Sequence, residues 1–186
     1  MKFTVMHPLR GEGRTSRGYG PSTYAVGARQ GQATIHHGVD YATRTPERPS
    51  GVTPVYAAAS GTVEIAQAND IGVSGKYIII EHPSSDGTYT TQYLHLSQLF
   101  VTQGQTVREG ALIGETGQTG ASTGPHLHFA MSLRDPVPGV KGGWLDPAPF
   151  VTRTSPRPPL ALIIAASSAA SLGLILMFWH LLRRPS

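Results

Sequence analysis

The 186-residue sequence contains no cysteine, so no disulfide can brace it and no thiolate can hold a metal. Any transition-metal site must therefore be assembled from histidine and carboxylate. Acidic residues are scarce: Asp and Glu number 11 against 15 Lys and Arg, for a formal net charge of +4. A balance of that size favours polyanionic surfaces such as cell walls or anionic lipid. No Arg/Lys run is interleaved with aromatics, which argues against a nucleic-acid partner. The opening Met1-Lys-Phe-Thr-Val-Met-His-Pro8 lacks the apolar core of a secretory signal, because Thr4 and His7 interrupt it. No clear amphipathic helical period is visible in the first 150 residues.

What is abundant is turn chemistry. With 22 Gly and 15 Pro, the chain suits a turn-rich β domain better than a helical bundle. Val55-Tyr-Ala-Ala-Ala precedes a Ser60-Gly61 turn and a second β-type run, Thr62-Val-Glu-Ile-Ala. Lys76-Tyr-Ile-Ile-Ile-Glu81 is strongly apolar, and Ser84-Ser-Asp-Gly87 supplies an Asp-Gly hairpin turn before Thr88-Tyr-Thr-Thr-Gln-Tyr-Leu94 returns. Val107-Arg-Glu-Gly110 turns into Ala111-Leu-Ile-Gly-Glu115, and Leu127 to Leu133 forms another strand. About seven short strands with Gly-rich turns predict an antiparallel, sandwich-like all-β domain.

The length allows one domain plus an appendage: a domain over 1–150, a stiff Pro-rich linker over 151–159, a membrane helix over 160–182 and a basic tail over 183–186. Residues 160–179 carry no charge, and at about 1.5 Å per residue such a helix crosses a hydrocarbon core of about 30 Å. Trp179 suits the interface, and Arg183 and Arg184 sit where snorkelling cations belong. The expectation is a single-pass anchor in a lipid bilayer, with Arg153 and Arg157 at its other end leaving the orientation open.

The chemistry lies in the histidines. Five of the eight, His36, His37, His95, His126 and His128, fall in three compact polar motifs. On a strand, His126 and His128 point to one face; His36 and Asp40, four apart, share a face on a strand or a helix. Three N/O ligands with a fourth position open describe a catalytic zinc site, since structural sites close all four.

These motifs stand in a longer series. Thr15-Ser-Arg-Gly-Tyr-Gly20 is followed by His36-His-Gly-Val-Asp-Tyr-Ala42, Thr53 to Val63, Ile80-Glu-His82, Tyr93-Leu-His-Leu-Ser97, Gly104 to Gly110, Ile113-Gly-Glu-Thr-Gly117 and Thr119-Gly-Ala-Ser-Thr-Gly-Pro-His-Leu-His-Phe129. In that order the blocks resemble the lysostaphin-like (LytM-type) zinc metalloendopeptidases, which cut peptide cross-links in bacterial peptidoglycan. The resemblance implies one zinc per chain, with His36, Asp40 and His128 as ligands and His95 and His126 as the two non-ligand catalytic histidines. Pro21-Ser22 replaces an Arg that the family often carries after its first Gly-aromatic-Gly, a difference that bears on the substrate groove. His37 is expected on the opposite, exposed face, His82 as structural, His7 and His180 at the surface and membrane interface, and Glu64, Glu81 and Glu115 at solvated strand positions.

The implied function is a membrane-anchored peptidoglycan endopeptidase. A C-terminal anchor without an export signal leaves the domain on the side where it was made, which favours a phage lytic or entry enzyme, in a virion's internal membrane among virion proteins. Other readings are a host wall-remodelling hydrolase in the bacterial cell membrane, a non-catalytic wall-binding or regulatory module, and a structural virion component.

Overall fold

A computed structural model of the chain describes residues 3–22, 34–134 and 143–153. These lie in Met1–Ser155, one of two units into which the chain divides, the other being Pro156–Ser186. The expected membrane helix, basic tail and most of the linker, with His180, lie outside the described residues. Among the described residues no helix is long and apolar enough to cross a membrane.

The expected antiparallel all-β architecture is present. The early strands are β1 (Val5–Met6), β2 (Arg14–Arg17), β3 (Gly20–Ser22), β4 (Thr34–His36), β5 (Val39–Ala42), β6 (Pro54–Tyr56) and β7 (Gly61–Gln67). They are followed by β8 (Lys76–His82), β9 (Tyr89–Leu99), β10 (Thr106–Val107), β11 (Leu112–Thr116), β12 (His126–Leu133), β13 (Trp144–Leu145) and β14 (Val151–Arg153). A ten-stranded sheet runs β10-β7-β8-β9-β12-β5-β2, with β11 pairing β6 and β9, and β13 pairing β12. The β3–β4 hairpin forms its own two-stranded sheet. The first three residues of the expected linker, 151–153, instead form β14, which pairs parallel with β1. Phe3 holds that junction by stacking between Tyr89 and Phe150.

Period-two alternation separates core from site. In β8, Ile78, Ile80 and His82 are buried while the residues between them are half-exposed; in β12, Leu127, Phe129, Met131 and Leu133 enter the core. Each fully buried Ile, Leu or Phe stabilises the fold by about 1.5–3 kcal/mol. Because the odd positions of β12 are committed to the core, His126 and His128 must emerge on the other face. The Asp86-Gly87 turn forms as expected, with Gly87 at φ 108° and its N–H bonded to the Ser84 carbonyl.

Candidate metal centre

β12 pairs with β5 so that His128 lies directly opposite Asp40. Directly paired residues share a face, and the imidazole Nδ1 reaches Asp40 Oδ1 at 2.8 Å. His36 arrives differently from the expected shared strand face. It closes β4 in the small sheet, the chain breaks at His37-Gly38, and Asp40 follows in β5 of the large sheet. The side chains meet nonetheless: His36 Nε2 is 3.1 Å from Asp40 Oδ1 and 3.0 Å from His128 Nδ1. Among the described residues, these three form a group able to hold a metal, with donor atoms all within 4.8 Å of one another.

The donor set fits zinc. Ligand atoms about 2.0–2.1 Å from a tetrahedral ion stand about 3.3 Å apart, close to the separations here. The His36 tautomer is fixed as well, because Nδ1 lies 2.7 Å from the Gly18 carbonyl, which can only accept. Nδ1 therefore carries the proton and Nε2 keeps its lone pair. Burial pulls the Asp40 pKa upward, but the adjacent His128 and His36 rings outweigh it and hold the carboxyl well below the usual range. Burial likewise lowers the His128 pKa, against the pull of Asp40. Both shifts favour the deprotonated forms that bind metal. Gly38 makes the approach possible: a Cβ there would fall 2.7 Å from His128 Nε2 and from the Phe129 carbonyl oxygen.

His126 and His95 stand beside this cluster. His126 lies two residues before His128 on the same face, with Nε2 3.8 Å from Asp40 Oδ1. Its Nδ1 donates to the Gly124 carbonyl at 2.8 Å and lies 3.1 Å from Ser122 Oγ. By parity His95 would follow Tyr89, Thr91 and Tyr93 into the core, but the β8–β9 register shifts between Lys76 and Ile78, leaving an extra residue in β9. His95 adopts φ 63° at that bulge, a left-handed conformation costing a non-glycine residue about 1–3 kcal/mol. Its ring consequently lies with its centroid 4.7 Å from that of His126.

Two loops offset that strain. The His95 N–H donates to the Ser74 carbonyl at 3.1 Å, and Nδ1 donates to the Thr119 carbonyl at 2.9 Å. The loops lock to each other through Gly120 N–H to Asp70 Oδ1 at 2.7 Å and Ala121 N–H to the Val73 carbonyl at 2.9 Å. Burial and the adjacent His126 imidazole push the His95 pKa down to about 4. The ring is thus neutral near pH 7, with Nδ1–H committed and Nε2 carrying the lone pair.

All five site residues expected from sequence line one open cavity of about 660 Å³. Two further residues join them without having been singled out. Arg17 places Nε 3.0 Å from Asp40 Oδ2, and Trp144 stacks on His37 with ring centroids 5.0 Å apart. His37 is therefore half-buried against an aromatic wall rather than exposed. His82 is structural as expected, bonded to the Ser60 carbonyl and Thr91 Oγ1. His7 is more than a surface residue: Nδ1 accepts the N–H groups of Leu9 and Gly11 and its ring lies against Tyr41. Glu64 and Glu81 pair with Arg134, away from the cavity.

Residues 34–142, more than half of the chain, match the model of peptidase family M23. A peptidoglycan DD-endopeptidase of Vibrio cholerae, ShyB, is 40% identical over 112 residues, covering 60% of this chain and 24% of that protein. The catalytic domain of the antimicrobial peptidase lysostaphin from Staphylococcus simulans superposes with a TM-score of 0.57 at 34% identity, covering 74% of this chain and 91% of that one. A zinc-containing peptidase of Vibrio cholerae gives a TM-score of 0.57 at 32% identity, covering 70% and 37%. The chain spans about a quarter of the length of the curated relatives it matches. It belongs to peptidase family M23.

Proposed function

We propose that this chain hydrolyses a peptide bond in the cross-links of bacterial peptidoglycan, with His36, Asp40 and His128 as the zinc ligands. The observation that carries this reading is the convergence of three metal-competent donors on the floor of an open cavity, with two further imidazoles beside them. Relatives named peptidoglycan DD-endopeptidases or lysostaphin support the substrate class.

Zinc held there supplies Lewis acidity toward the scissile carbonyl and toward water. The protein's own side chains handle protons. In His95 and His126 alike, Nδ1–H is given to a backbone carbonyl. Each ring therefore has only Nε2 left to take up a proton or, once protonated, to return it. One ring serves as base for the attacking water; the other, when protonated at Nε2, steadies the developing oxyanion or passes that proton to the leaving amine.

The fragments that the zinc-loaded chain releases from defined muropeptides, read by mass spectrometry, test the proposal. Masses corresponding to cleavage within the peptide cross-link are expected; intact cross-links, or cleavage of the glycan strand alone, would refute it.

We also propose a membrane tether, supported by the uncharged stretch 160–179 and the Arg pair beyond it. The full chain should partition with lipid vesicles; complete recovery in the aqueous phase without detergent would refute the tether. Fractionation of the tagged chain then assigns the bilayer to a virion's internal membrane, with the phage entry or lytic role, or to the bacterial cell membrane.

A further inference from the structure

Asp40 contributes only one oxygen to the donor cluster. Oδ1 faces His128 Nδ1 at 2.8 Å and His36 Nε2 at 3.1 Å, whereas Oδ2 accepts a hydrogen bond from Arg17 Nε at 3.0 Å. A carboxylate torsion is otherwise broad and nearly two-fold, so nothing intrinsic to Asp40 selects one oxygen over both.

The backbone is built to put Arg17 there. β2 pairs with β5 as Arg14↔Ala42 and Thr15↔Tyr41, and the register then shifts so that Arg17, not Ser16, opposes Asp40. Without that bulge Ser16 would occupy the paired position. Ser16 instead ties the bulge down, donating from Oγ to the Asp40 carbonyl at 3.1 Å. The Arg17 side chain remains 34% exposed, whereas that of Asp40 is 8% exposed. The guanidinium thus reaches inward from the cavity rim to a carboxylate on its floor.

We infer that Arg17 is a positioning residue for the metal centre: by holding Asp40 Oδ2 it makes Asp40 a one-oxygen ligand and keeps the remaining coordination space open for water and substrate. This rests on the assignment of His36, Asp40 and His128 as ligands. The charge of Arg17 and its hydrogen bond have opposite consequences. A cation beside a dication opposes metal binding, so charge alone makes zinc bind more tightly once Arg17 is removed. Orientation makes it bind more weakly, because an outer partner of a metal ligand typically contributes about 10–100-fold in affinity.

The test is zinc affinity of the full chain, measured by competition with a chromophoric chelator, for the parent, Arg17→Ala and Arg17→Lys. Arg17→Ala should bind zinc about 10–100-fold more weakly. Arg17→Lys should fall between, since Lys keeps the charge and a donor but not the planar fork. In the cobalt-loaded chain, the visible bands should lose intensity in Arg17→Ala as the second Asp40 oxygen enters coordination. Thermal melting of the zinc-free proteins controls for folding. Unchanged or tighter zinc binding in Arg17→Ala overturns the inference, as does a weakening matched by an equal loss of stability in the zinc-free protein. His128→Ala separates the two levels. If it binds zinc like the parent, the ligand assignment fails; if it loses zinc while Arg17→Ala does not, only the role of Arg17 fails.

Discussion

His82 and His95 are both buried histidines on neighbouring strands, yet one closes the sheet and the other opens onto the site. His82 spends both ring nitrogens internally, on the Ser60 carbonyl and on Thr91 Oγ1, which continues to Tyr93 OH and the Ala58 N–H. His95 commits Nδ1 to the Thr119 carbonyl, turns Nε2 toward the cavity, and sits at φ 63° to do so. Burial is common to the two. What distinguishes the cavity-facing ring is an uncommitted nitrogen obtained at a cost in backbone strain.

The largest expected effect follows from that difference. His95→Ala and His126→Ala should retain zinc and lose about 10²–10⁴-fold in turnover on purified peptidoglycan, the usual contribution of a positioned acid or base. Parental rates in either variant would remove that ring from the mechanism. His82→Leu should do the reverse. It leaves the Ser60 carbonyl without its partner, costing about 1–3 kcal/mol in denaturant unfolding, while each folded molecule turns over at the parental rate.

Two smaller effects sharpen the contrast. Gly120 has φ 67°, and a Cβ there would meet the Gly75 nitrogen at 2.4 Å. Gly120→Ala should destabilise the chain by about 1–2 kcal/mol and lower turnover less than His95→Ala, with zinc content unchanged, because the loop behind His95 shifts. The last effect is pH dependence. Burial holds His82 and His7 below the ordinary histidine value, so the folded chain keeps them neutral while the unfolded chain takes up protons. Their stabilisation is complete above about pH 6.5 and is lost as pH falls toward the lower folded values. Each group adds at most about 1.4 kcal/mol per pH unit in that window, and His82→Gln should flatten the stability profile there.

Period-two patterns were legible in the sequence. The runs at Lys76 and Leu127 became β8 and β12, and the same-face placement of His126 and His128 followed from strand geometry. The convergence of His36 and Asp40 was also expected, but through a shared face that the break at His37-Gly38 rules out. Alternation correctly directed His37 away from His36, yet could not reveal Trp144 waiting there. His95 defeated alternation outright, because a one-residue bulge inverts parity and leaves no period to read. Arg17 opposite Asp40 depends on a second bulge of the same kind. Regular strands announce which way their side chains point; bulges and distant pairings do not.

Two rings only two residues apart in β12 divide the proposed work, His128 as a ligand and His126 as a proton handler. The most direct measurement is the zinc content of the purified full chain carrying His128→Ala, set beside that of His126→Ala. Near-complete loss of zinc is expected in the first and about one zinc per chain in the second. Parental zinc content in His128→Ala would contradict the metal centre described here.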